Sequence, residues 1–267
     1  MKLILQLVAA CLFCFPAYSQ LQKVKTLSIK NISVASVDRL GNFYFVLPSG
    51  KMQKYDGDGT LLDESSSTIL PLTLLEPWNP LKVFTYSNQQ RKYQFWDHHL
   101  ERLEDKTLEP SFSITPQLVC PANENNKAWI LDAADHSLKR VDLLKNQIDL
   151  ETRLPSDWGN ENSKIVFMRE YQNRVFLLDN QKGILMLNNL GIPITTIKIV
   201  GLSFFNFVGQ ELCYRNGKEI LLLDLFTGDI RKVTTLPDIE NIIETILTDE
   251  RLVVVTHDDV QIYRVIK

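Results

Sequence analysis

Hydrophobic and polar positions recur along this 267-residue chain with a constant phase. In each unit a strand-like run ends at a polar turn and is followed by a second apolar run that closes on Asp or Asn. The second run occupies residues 51–56, 92–97, 137–142, 183–188, 219–224 and 260–265. It closes on Asp56, Asp97, Asp142, Asn188 and Asp224, and on Val265 in the last copy, so successive copies are 36 to 46 residues apart. A period of about forty residues built from strands is typical of a toroidal or solenoid β-fold.

Each unit contains four strand-like runs. An apolar stretch such as 165–168 comes first, a run rich in aromatic and β-branched residues such as 174–178 comes second, and a fourth run such as 230–233 follows the closing Asx. Four short antiparallel strands repeated radially form the blades of a β-propeller. A β-sandwich also has short strands at regular spacing, but it does not require the same turn chemistry at the same phase. No unit has a 3.6-residue period over the length of a helix, which argues against a helical solenoid. The sequence therefore predicts an all-β, six-bladed propeller with four-stranded antiparallel blades.

The two ends of the chain support this count. The sixth unit stops at Lys267, just after its third strand, so its outer strand is missing. Residues 24–29 form a spare strand near the other end. Placed beside residues 262–265, this strand would close the ring and cover an exposed sheet edge. We expect one propeller domain over residues 20–267, with its last blade completed by the N-terminal strand.

Two blades carry a family resemblance. Residues 129–132 followed by 138–142, and residues 41–46 followed by 54–56, resemble blades of the six-bladed TolB-like and NHL-type propellers. The period resembles that family over essentially the whole chain after residue 19, whereas the specific match is limited to these two blades. The resemblance implies the fold. It implies no single activity, because the family contains scaffolds, peptide binders, lactonases and lyases.

The first nineteen residues are typical of a secretory signal peptide. Lys2 precedes an apolar run that reaches Phe15, and Ala17 and Ser19 are small residues at the −3 and −1 positions of a cleavage site. The sequence 8–11, Val-Ala-Ala-Cys, resembles a lipoprotein cleavage box and is the alternative. It leaves a very short apolar segment before the cut, and apolar sequence continues after Cys11. We therefore expect export by cleavage after Ser19, with a periplasmic, outer-membrane-associated or extracellular location.

Charge and cysteine content exclude several classes. The net charge of −3 becomes −4 after cleavage, since residues 1–19 contain Lys2 and no acid, and no basic tail or patch points to nucleic acid as a partner. No later segment has the length and apolarity of a transmembrane helix. Cys120 and Cys213 remain after cleavage and could pair in an oxidising compartment. Their predicted places on inner strands of different blades favour buried free thiols.

One face of the predicted propeller collects polar residues. It carries the turns between second and third strands and the links between blades. Polar groups that converge around an aromatic side chain would make a ligand funnel, although Asp and Asn in these turns also serve simply to set the turns. The candidate binding residues on this face are Asp132, His136, Asp179, His257 and Asp258, with Trp158 near them. Trp78, in a turn between Pro77 and Pro80, is expected to be rigid and partly exposed, which suits a protein contact.

Signals for catalysis or a metal are weak. The 56–60 hairpin, Asp-Gly-Asp-Gly-Thr, lacks the downstream ligands of an EF-hand loop, and His98 and His99 are expected to point to opposite faces of their strand. No Ser-His-Asp order and no phosphate-binding loop occurs. We expect no cofactor and no metal.

The family resemblance supplies the main alternative to a binding function. Lactonases of this architecture hold a divalent metal in the central channel with side chains from inner strands. The inner strands here are mostly apolar, and the acids nearest to them are expected in turns on the opposite face, at Asp38, Glu76, Glu170 and Asp249.

The sequence thus favours an exported, non-enzymatic binding or scaffolding propeller that mediates protein–protein interaction in the bacterial cell envelope, including membrane-associated complexes. The alternative is a metal-dependent, lactonase-like hydrolase or a lyase that uses the central channel. A channel closed by side chains would argue against that alternative.

Overall fold

The computed structural model describes residues 20–68, 70–158 and 164–266, and the regular elements in these ranges are all β-strands. The predicted signal peptide, its cleavage point and the lipoprotein box lie outside the described residues, as does most of the loop that follows Trp158. No helix in the described ranges is long and apolar enough to cross a membrane.

The strands form six antiparallel four-stranded sheets arranged as a ring, so the predicted six-bladed propeller is confirmed. Blade 1 contains β2 (Val34–Val37), β3 (Phe43–Val46), β4 (Met52–Tyr55) and β5 (Leu61–Glu64), and blade 2 contains β6 (Leu74–Glu76), β7 (Val83–Ser87), β8 (Lys92–Trp96) and β9 (Arg102–Thr107). Blade 3 contains β10 (Pro116–Pro121), β11 (Lys127–Asp132), β12 (Ser137–Asp142) and β13 (Gln147–Arg153), and blade 4 contains β14 (Ile165–Tyr171), β15 (Arg174–Asp179), β16 (Gly183–Asn188) and β17 (Pro193–Ile197). Blade 5 contains β18 (Asn206–Val208), β19 (Glu211–Asn216), β20 (Glu219–Asp224) and β21 (Ile230–Thr235), and blade 6 contains β22 (Ile242–Leu247), β23 (Arg251–Thr256), β24 (Val260–Ile266) and β1 (Gln20–Leu27).

Burial explains why the second strand of each unit is so apolar. Every residue of β3 and β7 is buried, because both faces of these strands pack against neighbouring blades. A strand buried on both faces reads as a continuous apolar run. The outer strands β5 and β9 are mostly exposed and carry charged residues. The core therefore lies between the blades, around the ring.

The N-terminal strand closes the ring as predicted. Strand β1 is antiparallel to β24, with Gln20 opposite Ile266 and Leu27 opposite Val260. It begins and ends earlier than the predicted 24–29 strand, because β24 continues to Ile266 and so offers partners as far as Gln20. The buried Leu27 joins the core cluster that contains Val260 and Ile262.

The recurring Asx residues set the turns between third and fourth strands. The Asp56 carboxylate accepts hydrogen bonds from the backbone N–H groups of Asp58 and Thr60, at 2.9 and 2.8 Å. Asp97, Asp142, Asn188 and Asp224 accept equivalent bonds from the residues that follow them. The constant phase of these residues is therefore a requirement of turn geometry.

The two cysteines are buried free thiols, as expected. Cys120 lies on the inner strand β10 of blade 3, as predicted, whereas Cys213 lies on β19, the second strand of blade 5, and not on the inner strand. Burial raises the pKa of Cys213 to about 12 and raises that of Cys120 well above its ordinary value. Both side chains are therefore protonated and act as small apolar groups.

Candidate functional site

The ring has two faces with different turns. The Trp78 face carries the turns that join first to second strands and third to fourth strands. The His257 face carries the turns that join second to third strands, together with the links between blades. The central channel runs from one face to the other along the inner strands β2, β6, β10, β14, β18 and β22.

A buried arginine crosses this channel. Arg169 starts from β14 in blade 4, and its Nε lies 2.5 Å from Oε2 of Glu76 in blade 2. Its Nη2 lies 3.3 Å from Oγ of Ser36 in blade 1. Blades 4 and 1 are opposite each other in a six-membered ring, so the side chain spans the axis. Arg169 is 1% exposed and Glu76 5% exposed.

Aromatic rings fill the space around this ion pair. The Arg169 guanidinium lies 5.3 Å from the ring of Phe167 and 5.8 Å from that of Phe204. The two rings pack against each other at 5.0 Å. At this level the channel is therefore closed by a charged pair and two aromatic side chains.

Glu244 lies in the channel wall on the side of the His257 face. This residue of β22 is half-buried, but its Oε1 is enclosed and has no hydrogen-bond partner among the described residues, as is also true of Nη1 of Arg169. Burial raises the pKa of the Glu244 carboxyl to about 8, although the charge of Arg169 opposes the increase. Beside it is a polar cavity of about 140 Å³ that is also lined by Ser203, Arg215 and Asn216.

Glu244→Gln should stabilise the protein at alkaline pH. A carboxyl whose pKa rises from 4.5 to about 8 on folding supports the fold fully below pH 4.5 and loses that contribution as the pH rises through 8. The wild type should therefore lose several kcal/mol, at most about 5, across this window, whereas the neutral amide should not. Thermal unfolding at pH 4.5 and pH 9 measures the difference. The exposed Glu101→Gln is the control, and equal melting curves for Glu244→Gln and wild type at pH 9 would contradict the assignment.

Asp132 and Asp179, two of the predicted binding residues, stabilise turns through their carboxylates. Both are fully enclosed. Asp132 accepts hydrogen bonds from the backbone N–H of Ile114 and from Nζ of Lys139, at 3.0 and 2.9 Å. Although burial alone would raise the pKa of Asp132, these and further hydrogen bonds lower it well below its usual range. Asp179 accepts from the backbone N–H of Lys164 and Gln181, both at 2.8 Å.

The remaining candidates on the His257 face differ in exposure. Trp158 is 3% exposed and belongs to the main core cluster. Its backbone N–H donates to the Pro155 carbonyl, which folds the turn back. Trp158 therefore contributes no aromatic surface to the His257 face. His136, His257 and Asp258 are exposed on turns. The His257 carbonyl accepts the N–H of Asn31 and so ties the last blade to the first. A ligand role for these residues stays a prediction.

Trp78 occupies the mouth of the channel on the other face. It is half-buried, and its ring meets Tyr171 edge to face at 5.1 Å. Tyr171 stacks on Phe207 at 4.0 Å and donates a hydrogen bond to the Gly209 carbonyl at 2.6 Å. The backbone N–H of Trp78 donates to Oε1 of Glu76 at 3.0 Å, so the buried ion pair in the channel also fixes this turn. Trp78 is thus held rigidly from two sides.

Three cavities that share lining residues form a trough, and Trp78 lines two of them. The mouth cavity has a volume of about 410 Å³ and is lined by Arg39, Trp78 and Asp249, among others. It shares Gly209 and Thr248 with a cleft of about 620 Å³ between blades 5 and 6. It shares Arg39 and Trp78 with a third cavity of about 320 Å³ that extends toward blade 3. We call this continuous depression the Trp78 trough.

Exposed apolar and charged groups lie in the trough and beside it. Leu40 lines the mouth and is 71% exposed, and Leu81, in the same turn as Trp78, is 63% exposed. The backbone N–H of Arg39 donates to the Trp78 carbonyl, which joins the turns of blades 1 and 2. The Arg39 guanidinium and the Asp249 carboxylate form no hydrogen bond or ion pair with a described residue. In the described ranges, no group of three or more His, Cys, Asp or Glu side chains could hold a metal ion.

Neither the models of known protein families nor the curated protein sequences match this chain. Solved structures match it in fold. A streptogramin B lyase superposes with a TM-score of 0.60 at 14% identity, over 92% of this chain and 98% of that chain. Virginiamycin B lyase from Staphylococcus aureus gives a TM-score of 0.56 at 16% identity, over 93% of this chain and 100% of that chain. BamB from Moraxella catarrhalis gives 0.46 at 12% identity, over 88% and 86%. At these identities the two lyases support the propeller fold alone, and the weaker BamB likeness carries no inference.

Arg169 and Glu244 are the central residues that sequence reasoning missed. Glu244 is the single charged residue of β22, and Arg169 and Glu170 are the two charged residues of the otherwise mostly apolar β14. A buried charge needs a partner or a shifted pKa. That pattern was a usable signal. The partners themselves could not be identified, because Arg169 and Glu76 are far apart in sequence and meet only across the closed ring.

Proposed function

We propose that this protein is an exported, non-enzymatic propeller of the bacterial cell envelope that binds a protein partner on its Trp78 face. The observation that carries the proposal is the rigid, half-exposed Trp78 at the channel mouth, flanked by the exposed Leu40 and Leu81. Aromatic residues held in place in this way dominate binding energy at protein interfaces, because little side-chain freedom is lost on association.

The closed channel favours binding over catalysis. Arg169, Phe167 and Phe204 occupy the space that a substrate would need to reach the axis. The resemblance of blades 1 and 3 to TolB-like and NHL-type propellers agrees with a ring that presents loops to a partner. Export rests on the sequence of residues 1–19, and cell fractionation of the full-length protein tests it.

Trp78→Ala should greatly weaken binding of the partner without unfolding the propeller. In-cell crosslinking followed by affinity purification and mass spectrometry would identify proteins recovered with the wild type. We expect recovery of a direct partner to fall roughly tenfold or more for the variant, since loss of a central aromatic anchor costs about 2 kcal/mol or more.

Phe226→Ala is the matched control for this experiment. Phe226 is an aromatic residue of the same face, 62% exposed, but it lies on an outer turn of blade 5 outside the trough lining. Recovery with this variant should equal that of the wild type. Equal recovery with Trp78→Ala would overturn the proposed site.

A further inference from the structure

We propose that the Trp78 trough binds an extended peptide segment of its partner, in which a large apolar side chain neighbours a carboxylate. This inference rests on the proposed function and specifies the chemistry of the partner. The apolar side chain would pack on Trp78 and Leu40, and the carboxylate would pair with Arg39.

The shape of the trough favours an extended chain. It runs from the cleft between blades 5 and 6, across the channel mouth, to blade 3, and it is continuous through shared lining residues. A folded surface would cover the mouth without entering the cleft. A peptide can follow the whole path and place successive side chains in separate pockets.

The charged side chains in the trough indicate which charges a bound ligand would carry at each position. Arg39 has no ion-pair partner among the described residues, whereas Arg251, which also lines the mouth, is already paired with Asp58 at 2.8 Å and Glu250 at 3.3 Å. An acidic side chain on the ligand would therefore meet Arg39 first. Asp249, also unpaired, lies on the side of the mouth nearest to the cleft and would accept a basic side chain or a backbone N–H.

The cleft between blades 5 and 6 provides a second apolar anchor. Leu222 and Leu247 form part of its buried lining, and Val208 and Val233 form half-buried walls. Its basic residues are already occupied, because Arg231 pairs with Glu211 and Lys232 with Glu219. The volume of about 620 Å³ accommodates a Leu or Phe side chain of the bound segment.

Selection of random peptides displayed on phage against the full folded protein tests this inference. The selected peptides should share an acidic residue adjacent to an aromatic or large aliphatic one. Affinity measured by fluorescence anisotropy should fall roughly tenfold or more for Arg39→Glu and for Trp78→Ala. Replacing the acidic residue of the peptide with Lys should restore binding to Arg39→Glu, which a merely structural role of Arg39 would not produce.

Lys145→Glu is the matched control, since Lys145 is an exposed basic residue on an outer turn of the same face. Its affinity for the peptides should equal that of the wild type. The inference would be overturned if the selected peptides lack an acidic residue. It would also be overturned if their affinity is unchanged by both Arg39→Glu and Trp78→Ala. A library that yields no binder while crosslinking retrieves a Trp78-dependent partner would also overturn it and leave the proposed function standing. If peptides bind in the trough but crosslinking recovers no partner, the proposed scaffolding function is contradicted.

Discussion

Deletion of residues 20–27 will abolish the soluble folded protein. These residues form β1, which supplies the outer strand of blade 6 and pairs with β24 from Gln20–Ile266 to Leu27–Val260. Without them the blade keeps three strands, and Leu27 is lost from the cluster around Val260 and Ile262. The row of N–H and C=O groups on β24 becomes a free edge, which invites aggregation. Expression of the deleted chain, assayed by soluble yield and circular dichroism, measures the effect.

A circular permutant separates the role of the strand from that of the chain ends. Joining residue 267 to Gln20 through a flexible linker and opening the chain between the exposed Lys145 and Asn146 keeps every strand but moves the termini to blade 3. This permutant should fold. A deleted chain that is soluble and cooperative in thermal unfolding would show that blade 6 does not need its fourth strand.

Arg169→Met should cost the fold about 3 to 5 kcal/mol, because it leaves the Glu76 carboxylate buried without its cationic partner. The double variant Arg169→Met, Glu76→Leu should lose less than the single one, since no unpaired charge remains. Urea denaturation of the wild type, both single variants and the double variant gives the coupling free energy. Because Glu76 also accepts a hydrogen bond from the backbone N–H of Trp78, Arg169→Met should weaken peptide binding as well.

Arg231→Met is the control for this cycle. Its pair with Glu211 has hydrogen bonds of similar length, 2.6 and 2.5 Å, but the Arg231 side chain is 60% exposed. Exposed pairs contribute about 0 to 1 kcal/mol. If Arg169→Met costs no more than Arg231→Met, the channel pair does not hold the blades together.

Local patterns in the sequence predicted the turns and the strands well. The Asx at residues 56, 97, 142, 188 and 224 could be interpreted correctly because an Asp or Asn side chain bonds to backbone N–H groups only a few residues ahead. The prediction of a closing strand depended on a single long-range argument, that a ring of four-stranded blades leaves one place unfilled. Its register was less accurate, since the length of β24 was not readable from the pattern.

The choice between the two faces as the candidate binding face depended on the structure. Polar residues concentrated on the His257 face drew attention to Asp132, Asp179 and Trp158, yet the structure encloses all three. Turn-setting carboxylates and ligand-binding carboxylates have the same sequence pattern, and only the hydrogen bonds to Lys139 and to backbone N–H groups distinguish them. Trp78 could be selected as a candidate from the sequence because its flanking prolines restrict the backbone locally.

The sequence by itself determined the all-β repeat, the number of blades and the way the ring is closed, because strand periodicity and turn chemistry depend on residues close to one another in the chain. The tertiary structure alone decided what fills the channel and where the trough runs. Arg169, Glu76 and Ser36 come from three different blades, and the trough joins turns from blades 1, 2, 3, 5 and 6. Such meetings depend on how the blades are placed around the axis, and no local pattern of residues encodes that placement.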